Sequence, residues 1–155
     1  MSDAIATRRF SSEDQRRFAR LSGDANPIHG DPLAARRSIF GEPVVHGVHL
    51  LLWSLGALAR QGLARGGVSG LDVRFPGPTF LGDEVTLRLQ VVSSTEVKVK
   101  ASVGARTVAV IGLGLTGSPP GPTRDDGGEG DRNLVPAGLP EDRQFGALAG
   151  SRGDV

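Results

Sequence analysis

The sequence has no cysteine and no tyrosine, a single tryptophan and six phenylalanines. Without cysteine there is no disulfide framework, no thiolate metal site and no thiol nucleophile. So few aromatics leave no base-stacking platform, and a formal net charge of +1 over 155 residues gives no field for nucleic acid. Long hydrophobic runs are missing as well. The longest nearly apolar stretch, Val48 to Ala59, is interrupted by His49 and Ser54 and is too short to cross a bilayer. The opening Met1-Ser-Asp-Ala-Ile-Ala lacks the basic-then-apolar design of a signal peptide. The expectation is a cytoplasmic protein, off the membrane, whose partner is a small molecule or another protein.

What is present divides near residue 117. Residues 1–116 hold 14 Gly and 5 Pro, whereas the 39 residues of 117–155 hold 9 and 5. A segment such as Gly117-Ser-Pro-Pro-Gly-Pro122 buries too little apolar surface to offset the entropy of ordering it. Three parts are therefore expected: a folded body over 1–116, a flexible linker over 117–139 and a tail over 140–155. The tail echoes the start of the body. A shift of 127 residues sets Phe145 on Phe18, Leu148 on Leu21 and Gly150 on Gly23. Either a second, truncated repeat begins there, or a chain rich in Ala, Gly and Leu has matched itself by chance.

The second half of the body alternates with period two. Val85, Leu87, Leu89 and Val91 interleave with Thr86, Arg88 and Gln90; Val97, Val99, Ala101 and Val103 do the same with Lys98, Lys100 and Ser102. Thr107 to Leu115 makes a further strand, and Leu71 to Phe75 an earlier one stopped by Pro76-Gly-Pro78. Short connections imply an antiparallel meander with one face on a core. The first half reads as helices. Ser11 or Ser12 caps one, with Glu13 and Asp14 in its first turn and Phe18 and Leu21 on its apolar side. Asp31-Pro32 opens a short one. From His46 to about Leu63 the pattern shows no polar face, which predicts a helix surrounded by protein. An α+β fold with a sheet curled around a buried helix satisfies both halves.

Chemistry concentrates in one region. His29, His46 and His49 lie close together in sequence and beside Asp24. Acid/base chemistry beside a carbonyl needs a base, an acid and a donor for the carbonyl oxygen. A carboxylate and an imidazole on one short loop supply the first two. Asn26-Pro27 between them fits a tight turn that aims Asp24 and His29 at one point. At His46-Gly47 the long helix begins, where unpaired N–H groups point outward and a glycine lets a carbonyl approach.

The string Gly23-Asp24-Ala-Asn26-Pro27-Ile-His29, followed by His46-Gly47 and by Phe75-Pro-Gly-Pro-Thr-Phe-Leu-Gly82-Asp83, resembles the MaoC-like family of (R)-specific enoyl-thioester hydratases. The resemblance spans roughly residues 5–116. It implies a hot-dog fold and a hydratase or dehydratase that interconverts a trans-2-enoyl thioester, on CoA or acyl carrier protein, and the (R)-3-hydroxyacyl thioester. It makes Asp24 and His29 the acid/base pair and Gly47 the oxyanion donor, supported by Asn26 and His46. The family often has an orienting serine on the central helix; Ser54 is the nearest here, one position from where the alignment sets Leu55. No metal or redox cofactor is expected, since the thioester brings the activation. A homodimer or a paired hot-dog domain is expected, because a single curled sheet leaves edge strands unpaired. The rival readings are a non-catalytic thioester-binding or interaction domain, and a fragment of a larger multidomain lipid or polyketide enzyme. Arg36 and Arg37 are either a solvated helix face or contacts for coenzyme A phosphates. Leu51, Leu52 and Trp53 are candidates to line an acyl tunnel.

Overall fold

The computed structural model describes residues 3–63 and 67–116. The linker and tail readings fall outside the described residues. In chain order the elements are β1 (Ala4–Arg9), α1 (Ser12–Ser22), a 3-10 turn (Pro27–His29), α2 (Pro32–Arg36), α3 (Gly47–Arg60), β2 (Val68–Arg74), β3 (Glu84–Ser93), β4 (Glu96–Val103) and β5 (Arg106–Leu115). The strands form one antiparallel sheet in the order β1-β3-β4-β5-β2.

Register turns the period-two pattern into a core. Leu87 pairs with Ala101 and Ala101 with Ala109; Leu89 pairs with Val99 and Val99 with Ile111; Val91 pairs with Val97 and Val97 with Leu113. Because alternate side chains share a face, these rows put their apolar members on one side of the sheet. Against that side lies α3, whose Leu50, Ala57 and Leu58 join Val85, Leu87, Val97, Val99 and Ile111 in a single cluster. The sheet wraps a helix, as the alternation and the apolar segment together imply.

Three expectations need correction. The first strand, β1, has no counterpart in the sequence reading. Its apolar members are mostly alanines, and its stability comes from pairing with β3 and from Arg9, which bonds Gly82 O and Glu84. Leu21 faces away from the core and is 87% exposed, so the apolar side of α1 narrows to Phe18. Nor is α3 enclosed all round in this chain: Val48 and Leu52, one turn apart, are 56% and 53% exposed.

The start of α1 positions the site. Ser11 is the N-cap: Asp14 N donates to Ser11 Oγ at 3.1 Å, and Ser11 N donates to Asp14 Oδ2 at 2.8 Å. This reciprocal pair satisfies two of the helix's free N–H groups. At the other end Gly23, with φ 76°, closes the helix by donating to Ala19 O. A left-handed residue here favours glycine, and it throws the chain directly into Asp24.

Candidate active site

From Gly23 the chain makes a series of side-chain-stabilised turns. Asp24 Oδ1 accepts from Asn26 N, and Asn26 Oδ1 accepts from Ile28 N, each at 3.2 Å. Pro27 opens the 3-10 turn, and His29 N donates to Asn26 O at 3.1 Å. Asp and Asn side chains mimic backbone turns in this way, and proline fixes the first φ. Asn26 thus shapes the turn that brings Asp24 and His29 together.

His29 Nδ1 lies 2.8 Å from Val44 O. A carbonyl only accepts, so Nδ1 carries the proton and the neutral ring keeps its lone pair on Nε2. No partner occupies that Nε2 among the described residues. The same loop is fastened a second time, by Val44 N donating to Ile28 O.

Beside His29 stands His46, the residue before α3. It is 2% exposed and stacks on His29 with ring centroids 3.7 Å apart and planes 24° apart. His46 Nε2 is 3.1 Å from Asp24 O and 3.8 Å from Asp24 Oδ2. Its Nδ1 and its backbone N–H both meet Gln15 Oε1, at 2.6 and 3.0 Å. Burial lowers the pKa of His46 from the ordinary histidine value, and the charge on a protonated His29 acts in the same direction; Asp24, through its backbone contact and its charge, opposes them.

Asp24, His29 and His46 offer ligand atoms within 4.8 Å of one another. The stacked rings oppose a shared ion. A metal must lie in the plane of each imidazole that binds it, and planes so close and so nearly parallel do not meet within bonding distance of both nitrogens.

Two clefts meet at this cluster. One, of about 380 Å³, is bordered by His29, Gly47, Leu50, Phe40, Phe75 and Val108 among others. The other, of about 340 Å³, is bordered by Asp24, Asn26, His29, His46, Gln15 and Arg16 among others. His29 belongs to both. Gly47 is the first residue of α3, whose N-terminus has no side-chain cap. Its N–H belongs to the unpaired set at a helix start, backed by the positive end of the dipole. Phe75 packs directly on it: a Cβ on Gly47 would come within 3.1 Å of the ring. A side chain here would need the Phe75 ring to give by a few tenths of an ångström.

The structure brings together Asp24, Asn26, His29 and His46, with Gly47 following His46 on the cleft side. Ser54 lies apart. It is fully buried, and its hydroxyl donates to Leu50 O one turn back in its own helix. Leu51, Leu52 and Trp53 do not border the larger cleft; Leu50 does. Arg36 and Arg37 are exposed at the end of α2. His49 packs between Phe18, parallel at 4.6 Å, and Phe10, edge-on at 5.0 Å.

Two contributors escaped the sequence reading. Phe75 enters that reading as the end of a strand and the start of the Phe75–Asp83 motif, with no place at the site. Gln15 is 1% exposed, a polar residue one turn before Phe18 on the inward side of α1. That position was the available signal, because a buried polar side chain is expected to have partners.

Residues 2–112 match the family described as MaoC like domain. The (R)-specific enoyl-CoA hydratase of Aeromonas caviae is 36% identical over 116 residues, which are 74% of this chain and 87% of that protein. The mitochondrial 3-hydroxyacyl-[acyl-carrier-protein] dehydratase of Arabidopsis thaliana is 36% identical over 95 residues, 61% of this chain and 56% of that one. Among solved structures, the A. caviae (R)-hydratase involved in PHA biosynthesis superposes with a TM-score of 0.61 at 27% identity, covering 73% of this chain and 91% of that one. A MaoC-like dehydratase from Rhodospirillum rubrum gives 0.62 at 23% identity, covering 78% and 94%, a likeness of fold.

Proposed function

The chain belongs to the MaoC like domain family, with its hot-dog fold, and from that premise we propose that it adds water to a trans-2-enoyl thioester and removes it from the (R)-3-hydroxyacyl thioester. The family has hydratase and dehydratase members, which supports a hydro-lyase. One observation carries the reading for this chain. The bond from His29 Nδ1 to Val44 O leaves Nε2 as a free lone pair on a ring that touches both clefts, next to the Asp24 carboxylate.

In the hydration direction the thioester lies in the larger cleft, its carbonyl oxygen toward Gly47 N–H. A water held by Asp24 and His29 gives up a proton as its oxygen bonds to C3. The electron pair of the double bond shifts toward the thioester oxygen, and the Gly47 N–H, with the helix dipole behind it, stabilises that charge. A proton from the same pair then reaches C2. Water supplies both the hydroxyl on C3 and the hydrogen on C2, so no net proton is gained or lost. The formal roles of acid and base belong to the pair rather than to either residue. The apolar lining of the cleft, Ile28, Phe40, Val44 and Leu50, suits a hydrocarbon chain.

The test is spectrophotometric. Purified protein should consume crotonyl-CoA, with loss of the conjugated-thioester absorbance, and yield the (R)-3-hydroxy product. A folded protein that binds enoyl thioesters yet leaves short and longer enoyl groups, on CoA and on carrier protein, unchanged would overturn the proposal.

A further inference from the structure

Gln15 sits outside the reaction as written, yet it is among the most buried polar groups in the described residues. Its amide has one orientation. The His46 backbone N–H can only donate, and it points at Gln15 Oε1 from 3.0 Å. The Oε1 identity of that atom therefore follows, and with it the NH2 identity of the other, which faces His49 Nδ1 at 3.3 Å. The same Oε1 lies 2.6 Å from His46 Nδ1, which must then carry a proton.

From this we infer that Gln15 is a positioning residue: it pins one proton of His46 to Nδ1, so that His46 gains and loses its second proton only at Nε2, the nitrogen facing Asp24. The inference rests on the proposed hydratase reading for its consequence in turnover, but not for its chemistry. With one proton, His46 turns a lone pair toward Asp24 O at 3.1 Å, and no hydrogen bond forms. With two, Nε2–H donates to Asp24 O and lies 3.8 Å from the carboxylate. Protonation of His46 and anchoring of the Asp24 loop are one event. The groups facing His46 are Asp24 and His29 from the loop, Gln15 and Phe18 from α1, and His49 on α3; Arg8 and Asp14 act on His49.

Removing the amide frees the choice. In Gln15→Met, a side chain of similar length with no polar nitrogen or oxygen, the neutral ring should move its single proton to Nε2 and donate to Asp24 O at all pH values. In Gln15→Glu the acceptor for Nδ1–H is kept, so the wild-type tautomer should be kept too.

The experiment is a pH titration of the full chain labelled with 15N-histidine, read from the ring nitrogens of His46, together with kcat and KM on crotonyl-CoA. Wild type and Gln15→Glu should show Nδ1–H in the neutral ring with titration confined to Nε2, and Gln15→Met should show Nε2–H. In Gln15→Met kcat should fall about tenfold with KM within about twofold, while Gln15→Glu recovers kcat to within about threefold. A neutral wild-type His46 protonated at Nε2, or a Gln15→Met protein that keeps the Nδ1–H tautomer, overturns the inference. Should Gln15→Met fail to fold, the wild-type and Gln15→Glu spectra still decide it. A wild type with the Nδ1–H tautomer and no enoyl turnover would sink the proposed activity and leave the assignment of Gln15 standing.

Discussion

His29 and His46 lie face to face, 3.7 Å between ring centroids, one half-buried and the other almost wholly enclosed. Two imidazoles at that separation do not both accept a charge readily, since like charges so close repel in a poorly solvated setting. In the proposed mechanism a proton taken up by His29 would therefore hold His46 neutral. His46 serves as a flat wall for the His29 ring, itself fixed from behind by Gln15. The wall explains how a half-exposed loop keeps His29 oriented.

The pair itself gives the first prediction. Asp24→Asn and His29→Ala should each lower kcat on crotonyl-CoA by about two orders of magnitude or more, because each removes a positioned proton carrier. The Asp24 side chain is 51% exposed, and neither residue belongs to the apolar core, so circular dichroism should be unchanged. Near-wild-type turnover in either variant would dismiss the mechanism.

A second prediction separates Gly47's N–H from its lack of a side chain. Gly47→Ala keeps the N–H but drives a methyl to within 3.1 Å of the Phe75 ring. Turnover should fall by about tenfold to a hundredfold, below the cost of deleting an oxyanion donor outright. Gly47→Ala combined with Phe75→Leu, which removes the obstructing ring, should recover much of that loss. If the double variant is no better than Gly47→Ala alone, the glycine is needed for something other than room beside Phe75.

Ser54 offers a contrast. Its hydroxyl is spent on Leu50 O, so Ser54→Ala should leave kcat and KM within about twofold of wild type and cost a modest amount of stability. A hundredfold loss of kcat would mean that the hydroxyl reaches the acid/base pair during turnover.

These expectations also show what the sequence makes legible. The Asp24–His29 pairing is readable because it is local: five positions apart, with Asn26 and Pro27 between them as turn residues. The capping of α1 by Ser11 is local in the same sense, and period two in β3, β4 and β5 records which face meets α3. What joins Gln15 to His46 is tertiary packing across 31 positions, and no short-range pattern encodes it. The strand β1 is hidden for a similar reason, since its partner lies on β3, far along the chain. Leu21 misleads because apolar character does not by itself decide which side of an amphipathic helix is covered.

Acid should weaken the fold through His49. Burial lowers its pKa from the ordinary 6.5, and Arg8 adds to this, against Asp14. A histidine whose folded pKa is depressed binds protons more readily when unfolded. Its share of stability is therefore full above about 6.5 and lost as pH falls from there toward the folded pKa. His46 has the same sign. Thermal melts should show Tm declining below neutral pH. His49→Phe, which keeps a ring between Phe10 and Phe18, should flatten part of that decline, and an unchanged slope would remove His49 as its source.

Assembly supplies the last prediction. Among the described residues β2 is an edge strand with Val68 and Leu71 each 50% exposed, and Phe75 just beyond it is 47% exposed. On α3, Val48 and Leu52 also face outward. An edge strand with apolar side chains and free backbone groups invites pairing unless something covers it. We propose a second copy of this chain as the cover, the β2 edges meeting to continue the sheet, with α3 brought close to its counterpart. Gel filtration with light scattering should then give a homodimer at micromolar concentration. Leu52→Glu, which sets a charge on the outward stripe of α3, should shift the chain toward monomer, and Leu71→Lys on β2 should do the same. A lone Leu21→Glu serves as the control: Leu21 is equally apolar and more exposed but lies on α1, and its replacement should leave the dimer intact. If all three variants behave alike, the stripe on α3 and β2 is not the interface; if the wild type is strictly monomeric and turns over enoyl thioesters, the site is complete within one chain.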